Sequence, residues 1–211
     1  DSMNLDLQVV ESALNDVEGN WVYNLEISDL QGHGLKGPRV DLSQLNHLPG
    51  CIDVWEISWK EFCFRLPPLI IEEQLQGAAP HPEITVFVPF NEEGIDLMNA
   101  EFDRIHPIDD IGGGPVLFFP LNSRLITAPY LRLPEIERSF FLGLLRRADP
   151  PTQDRIAEQI NDNESLYERI LEVGGVRYLP DTLPENVDFW RHHFGAQWPK
   201  LMKLKSRFDP D

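Results

Sequence analysis

The chain has 211 residues, with 18 Lys+Arg against 35 Asp+Glu and a formal net charge of −17. Hydrophobic residues at 42% and charged residues at 25% suit a globular chain, long enough for one core or a core with an appended lobe. The acidic balance speaks against nucleic acid and anionic membrane surfaces as partners, and two cysteines, Cys51 and Cys63, exclude a disulfide framework or a Cys-rich metal site.

The first residues, Asp1 to Asp6, show no basic n-region and no apolar h-region. No signal peptide is read there, and a cytoplasmic location is favoured. No apolar run approaches the ~20 residues that cross a bilayer. Both ends, Asp1-Ser2-Met3 and Phe208-Asp209-Pro210-Asp211, read as cuts within a longer protein.

Residues 5–17 fit a short helix or a strand equally well. Trp21 to Ile27 alternates, with β-branched and aromatic residues, and reads as a strand. Gly32, Gly34, Gly37 and Pro38 mark a loop, and Asp41 to Leu48 suits one or two helical turns. Ile52 to Phe64 reads as a strand running into a helix at Lys60, with Cys63 as an inert core residue.

Glu83 to Pro89 is the best strand of the chain, β-branched and bounded by prolines. Glu92 to Ile105 reads as an amphipathic helix with Ile95, Met98, Phe102 and Ile105 on one face. Gly112-Gly113-Gly114-Pro115 is a turn, and Val116 to Leu121 a short apolar strand. Pro134 to Leu145 reads as a helix, with proline in its first turn and Arg146-Arg147 near its end. A further helix spans Thr152 to Leu171, with Gly174-Gly175 beyond it. Asn186 to Lys205 suits two helices broken at Gly195. Strands and helices intermingle without a βαβ repeat. The expected class is α+β, an antiparallel sheet with strands near 21–27, 84–89 and 116–120, covered by helices on one face.

Chemistry-bearing motifs are scarce. No GxGxxG, GxxxxGK[ST], GxSxG or HExxH occurs. The glycine run at 112–114 precedes a strand rather than a helix, so it reads as a plain turn and not a phosphate cradle. His192 and His193 lie side by side on an expected helix, where neighbours diverge by about 100° and cannot chelate one metal. Asp109-Asp110 reads as a solvated loop, and no metal site is expected.

Several segments, taken in order, resemble the substrate (cap) domain of the cytokinin dehydrogenases, flavoproteins of the vanillyl-alcohol-oxidase superfamily. Arg177-Tyr178-Leu179-Pro180, then Trp190 to Trp198, then Leu204 to Pro210 resemble the family's "QYLP … W..HFG..W … LK..FDP" run. Pro80-His81-Pro82 with Val86 to Pro89 resembles "VPHPWLNLFVP", and Gly114 to Leu121 resembles "GPVLVYPL". Asp16-Val17-Glu18-Gly19 resembles "DYVEG", and Tyr23 to Glu26 resembles "YCLE". The departures lie at Glu83, which replaces an aromatic, and at Ile126, near where plant members carry a substrate-sandwiching tryptophan. Only Glu72 and Glu73 lie near the place of their substrate-facing glutamate.

The resemblance implies that residues 1–211 form a substrate-binding domain, with 1–19 and 206–211 at the junctions to a FAD-binding domain. It implies FAD in the full-length protein, and none bound to these residues alone. It places Tyr178 against the flavin, and Leu179 and Ile126 at the substrate. No catalytic residue is assigned within the chain, because the family's flavin-linked histidine and catalytic aspartate belong to the flavin domain. The implied partners are that domain and an adenine-type amine or similar small molecule. The parent would oxidise the side chain of an N6-alkyl adenine with hydride passing to flavin, and these residues alone would be inactive. A related flavin oxidase acting on another amine or alcohol, or a non-catalytic binding module, are the alternatives. A cap should also expose an apolar patch bordered by 116–121 and Tyr178-Leu179, leaving at least one of Phe118, Phe119, Tyr178 and Leu179 uncovered.

Overall fold

In the computed structural model, residues 25–26, 46–48, 50–52, 54–64, 79–179, 181–183 and 186–210 are described. The chain divides into two compact units, Asp1–Gln76 and Gly77–Asp211. In the first, helix α1 (Trp59–Phe64) is held by a capping box. Ser58 N–H donates to Glu61 Oε2 at 2.8 Å, and Glu61 N–H donates to Ser58 Oγ at 3.2 Å. The helix begins one residue before the expected position. No residue of it is buried, so Cys63, expected in a core, is exposed. The expected elements at 5–17 and 32–38 lie outside the described residues, and of the expected strand at 21–27 only Leu25 and Glu26 are described. Neither belongs to a strand.

The second unit is built on a four-stranded antiparallel sheet in the order β2-β3-β1-β4. Strand β1 (Ile84–Pro89) is central and all six of its residues are buried, as its β-branched run predicts. Helix α2 (Glu92–Arg104) follows. Asn91 caps it by accepting from Gly94 N–H at 3.0 Å, Glu92 and Glu93 occupy its first turn, and Arg104 its last. Strand β2 (Val116–Asn122) and strand β3 (Arg138–Leu144) form the next pair, and helix α3 (Gln153–Glu172) crosses to the short strand β4 (Val176–Arg177). Helix α4 (Val187–Phe194) and helix α5 (Trp198–Phe208) close the chain, broken at Gly195 as expected. The rings of Trp190, Phe194 and Trp198 stack in series across that break, at 5.8 and 6.4 Å.

The segment 134–145 is not a helix. Residues 138–144 form β3, with Ser139, Phe141 and Gly143 facing one way and Phe140, Leu142 and Leu144 the other. Both sets are largely apolar or small, so the alternation that marks a half-buried strand is absent from the sequence.

Register divides the sheet into two unlike faces. Ile84, Val86 and Val88 align with Leu144, Leu142 and Phe140, and Phe118 of β2 aligns with Leu142. This face packs on α2 and α3. Phe102 of α2 meets Phe118 edge-on at 5.8 Å, and Met98, Leu166 and Ile170 are at most 3% exposed. Of the face expected for α2, Met98 and Ile105 are buried and Phe102 half-buried, while Ile95 is exposed. Beyond the sheet, Arg146 is held in the interior by three acceptors. Its Nε donates to Asn163 Oδ1 at 2.7 Å, its Nη1 to Asp110 O at 2.8 Å, and its Nη2 to Asp162. Burial works to raise the Asp162 carboxyl, yet the guanidiniums of Arg104 and Arg146 together hold it below its ordinary range.

Among the described residues, no helix is long and apolar enough to cross a membrane.

Candidate functional site: the second face of the sheet

The face turned away from α2 and α3 carries Leu117, Phe119 and Leu121 from β2, Phe141 from β3, Thr85 and Phe87 from β1, and Val176 from β4. Tyr178 extends this row one step beyond β4. Its N–H donates to Thr85 O at 2.9 Å and its carbonyl accepts from Thr85 Oγ1 at 3.2 Å. Four rings form a continuous aromatic wall. Phe119 and Phe141 lie 5.8 Å apart and tilted by 30°, Phe141 meets Phe87 edge-on at 5.5 Å, and Tyr178 meets both Phe87 and Phe141 edge-on at 5.7 Å.

Burial falls across this wall. Phe87 is 3% exposed, Phe141 and Tyr178 are half-buried, and Phe119 is 50% exposed. Such a surface offers ring faces and edges to a planar or apolar ligand, each aromatic pair contributing about 1 kcal/mol beyond area burial. The wall's polar groups are few: the Tyr178 hydroxyl, the Thr85 hydroxyl, which is spent on Tyr178 O, and Ser139 at its end, 1% exposed and hydrogen-bonded through Oγ to Ser123 Oγ at 3.0 Å. It is equipped to bind and to exclude water, rather than to transfer protons. Among the described residues, no group of three His, Cys, Asp or Glu could hold a metal ion.

Residues 5–211 match the family model described as "Cytokinin dehydrogenase 1, FAD and cytokinin binding". The chain belongs to that family. An "Uncharacterized oxidoreductase ORF5 in fasciation locus" from Rhodococcoides fascians is 33% identical over 134 residues, 62% of this chain and 29% of the relative. "Cytokinin dehydrogenase 5" from Oryza sativa subsp. japonica is 29% identical over 188 residues, 80% of this chain and 32% of the relative. "Cytokinin dehydrogenase 7" from the same plant is 23% identical over 207 residues, 95% of this chain and 38% of the relative. The chain therefore spans about a third of the curated relatives it matches.

In this cytokinin dehydrogenase family domain, the three residues singled out from sequence do not come together. Tyr178 stands on the aromatic wall, and the half-buried Leu179 follows at its margin, its carbonyl accepting from Asp181 N–H at 3.0 Å. Ile126 sits beyond the end of β2, at the opposite edge of the sheet. Three strand spacings of about 4.8 Å, some ~14 Å in all, separate the two edges. There, half-buried, it lines an open groove of about 480 Å³ together with Pro129, Leu131, Arg132, Leu133 and Ile136. Phe87 and Phe141 are the wall residues that sequence reasoning missed. Phe141 was hidden by reading 134–145 as a helix; the small residues Ser139 and Gly143 flanking it at a spacing of two were the available signal.

For a flavin, the fit is one-sided. The wall supplies planar apolar surface suited to a ring system. The glycines at 112–114 offer no phosphate cradle, because they serve the protein's own backbone. Gly112 has φ +72, a Cβ there would lie 2.1 Å from Arg147 O, and one on Gly114 would lie 1.9 Å from Leu145 O. The sequence reading of this run as a plain turn agrees with the structure.

Proposed function

We propose that the chain is the substrate-binding domain of a FAD-dependent oxidoreductase similar to cytokinin dehydrogenase, one that oxidises the side chain of N6-alkyl adenines. The observation that carries this reading is the half-open aromatic wall Phe119–Phe141–Phe87–Tyr178 in a chain of this family. An adenine ring is planar and an N6-alkyl tail apolar, and both match a surface of ring faces and edges. Bound FAD would supply the hydride acceptor. The chain's own work would be to bind the purine, orient the carbon bearing the amine, and keep water out while that carbon is oxidised.

In this reading Tyr178 touches the flavin side of a cavity that runs across the sheet, Leu179 lines its substrate side at one edge and Ile126 at the other, and the FAD-binding domain is supplied by the rest of the protein. Phe119 needs such a neighbour, since half of its surface would otherwise meet solvent. The aliphatic side chain of Ile126 favours a broad cavity over a tight aromatic sandwich there. That keeps a flavin oxidase acting on another amine or an alcohol as the second reading.

The test is anaerobic reduction of the full-length protein. N6-alkyl adenine should bleach the flavin absorbance within seconds, and Tyr178→Ala should slow the bleaching at least tenfold. Bleaching by an aromatic alcohol but not by the adenine would move the protein to the second reading. A full-length protein that carries no flavin would leave only a binding module.

A further inference from the structure

Strand β4 is two residues long, paired to β1 at Val86↔Arg177 and Phe87↔Val176. So short a strand has little order of its own, yet it launches Tyr178 and Leu179, the last stretch of the aromatic wall. Beyond its pairing with β1 and the two bonds between Tyr178 and Thr85, it is held from the opposite face. Arg177 aligns with Val86 and so points away from the wall, while Tyr178, one residue on, points onto it.

There the Arg177 guanidinium grips Asp181 bidentately, Nε to Oδ2 and Nη2 to Oδ1, with the two side chains 1% and 0% exposed. Nη2 also donates to Leu183 O at 3.0 Å, and Leu183 N–H donates to Asp181 Oδ1 at 2.9 Å. The Phe189 ring lies under the guanidinium, 4.9 Å from its carbon. Thr182 ties the same turn to the start of β1, donating through N–H and Oγ1 to Glu83 O, each at 3.1 Å. The ion pair thus closes a five-residue ring around Tyr178 and Leu179.

We propose that Arg177 and Asp181 are positioning residues for the Tyr178–Leu179 part of the wall: their buried clasp sets the angle at which Tyr178 meets Phe87 and Phe141, and through it the fit of the ligand. The proposal rests on the reading that this wall faces the ligand. The Arg146–Asp162 pair provides the comparison. It too joins a guanidinium 1% exposed to an aspartate, but it lies between α3 and the 110 turn and supports no wall residue.

The test uses the full-length protein labelled with 3-fluorotyrosine. The chain holds four tyrosines, and Tyr178→Phe assigns the signal of interest by its loss. Asp181→Asn should shift or split the Tyr178 fluorine resonance and raise KM for N6-alkyl adenine at least tenfold, with kcat falling less than threefold. Asp162→Asn should leave the resonance in place and KM within twofold, at a comparable loss of thermal stability. If Asp181→Asn does not fold, Asp181→Glu, which keeps the charge but lengthens the arm, should produce the same shift. A Tyr178 resonance unmoved by the Asp181 variants overturns the clasp proposal whatever the substrate. A resonance that moves while Tyr178→Ala leaves KM unchanged supports the clasp and overturns the placement of the wall at the ligand.

Discussion

Phe119 and Phe141 sit directly opposite one another on neighbouring strands, rings 5.8 Å apart, yet Phe119 is 50% exposed while Phe141 is mostly covered. The pair marks where the protein's interior gives way to its surface. Phe119→Ser should therefore cost little stability, about 1 kcal/mol for the lost ring contact. Leu142→Ala, on the helix-covered face and 1% exposed, should cost about 2–5 kcal/mol. Urea unfolding of both variants decides it, and equal losses would mean that Phe119 is ordinary core.

Removing Arg146 should be among the most damaging changes. Arg146→Ala leaves Asn163 Oδ1 without its donor, takes one of two guanidiniums from Asp162, which keeps Arg104, and opens an interior void, which together cost about 2–5 kcal/mol. An unfolding free energy within about 1 kcal/mol of the unaltered protein, an allowance set by the ~0.5 kcal/mol scatter of surface substitutions, would show the network to be dispensable.

His193 gives the stability of this unit a definite pH dependence. Burial, helped by the positive charges of Arg132, Arg177 and His192, pulls the ring from 6.5 to about 4. The unfolded chain thus binds the proton more readily than the folded one. The resulting contribution is whole above pH 6.5 and is lost as pH falls toward 4, on the order of 2–3 kcal/mol over that interval. His193→Gln, which stays neutral, should flatten the melting-temperature profile there. Parallel profiles for the two proteins would refute the assignment.

Two adjacent glycines should respond differently to alanine. Gly174 has φ +78 with nothing within 4 Å of an added Cβ, so Gly174→Ala should cost only the ~1–2 kcal/mol of a left-handed backbone. At Gly175 that Cβ would lie 2.4 Å from Ile170 Cγ2 and 2.9 Å from Phe87 O, forcing α3 away from β1. Gly175→Ala should be the worse of the two by thermal melting, and the reverse order would contradict the packing.

Local chemistry made much of this unit legible. The β-branched run of β1, the Asn91 and Thr152 caps of α2 and α3, and the break at Gly195 are local signals that the fold obeys. What stayed hidden was non-local. Residues 139–144 carry apolar or small side chains on both faces because one face meets α2 and α3 and the other carries the wall, and only the pairing with β1 and β2 reveals which is which. Arg146 looked like a helix-ending charge; its partners Asp110, Asp162 and Asn163 are distant in sequence, so burial could not be read from its neighbours. Tyr178 was found through a motif, whereas Phe141 needed the sheet register.

Strand β2 also bears on association between copies of the chain. Its run Val116-Leu117-Phe118-Phe119-Pro120-Leu121-Asn122 holds no charge, and among the described residues only β3 pairs with it, leaving its outer rim without a strand partner. A flat apolar rim of that kind recruits copies of itself into stacked sheets. Pro120 interrupts it, since proline has no N–H to offer an incoming strand and is tolerated only at such rims. Pro120→Val should leave the fold intact and make the protein prone to β-aggregation, visible as thioflavin-T fluorescence under conditions where the unaltered protein stays clear. One imino acid thus acts as a gatekeeper for an apolar rim.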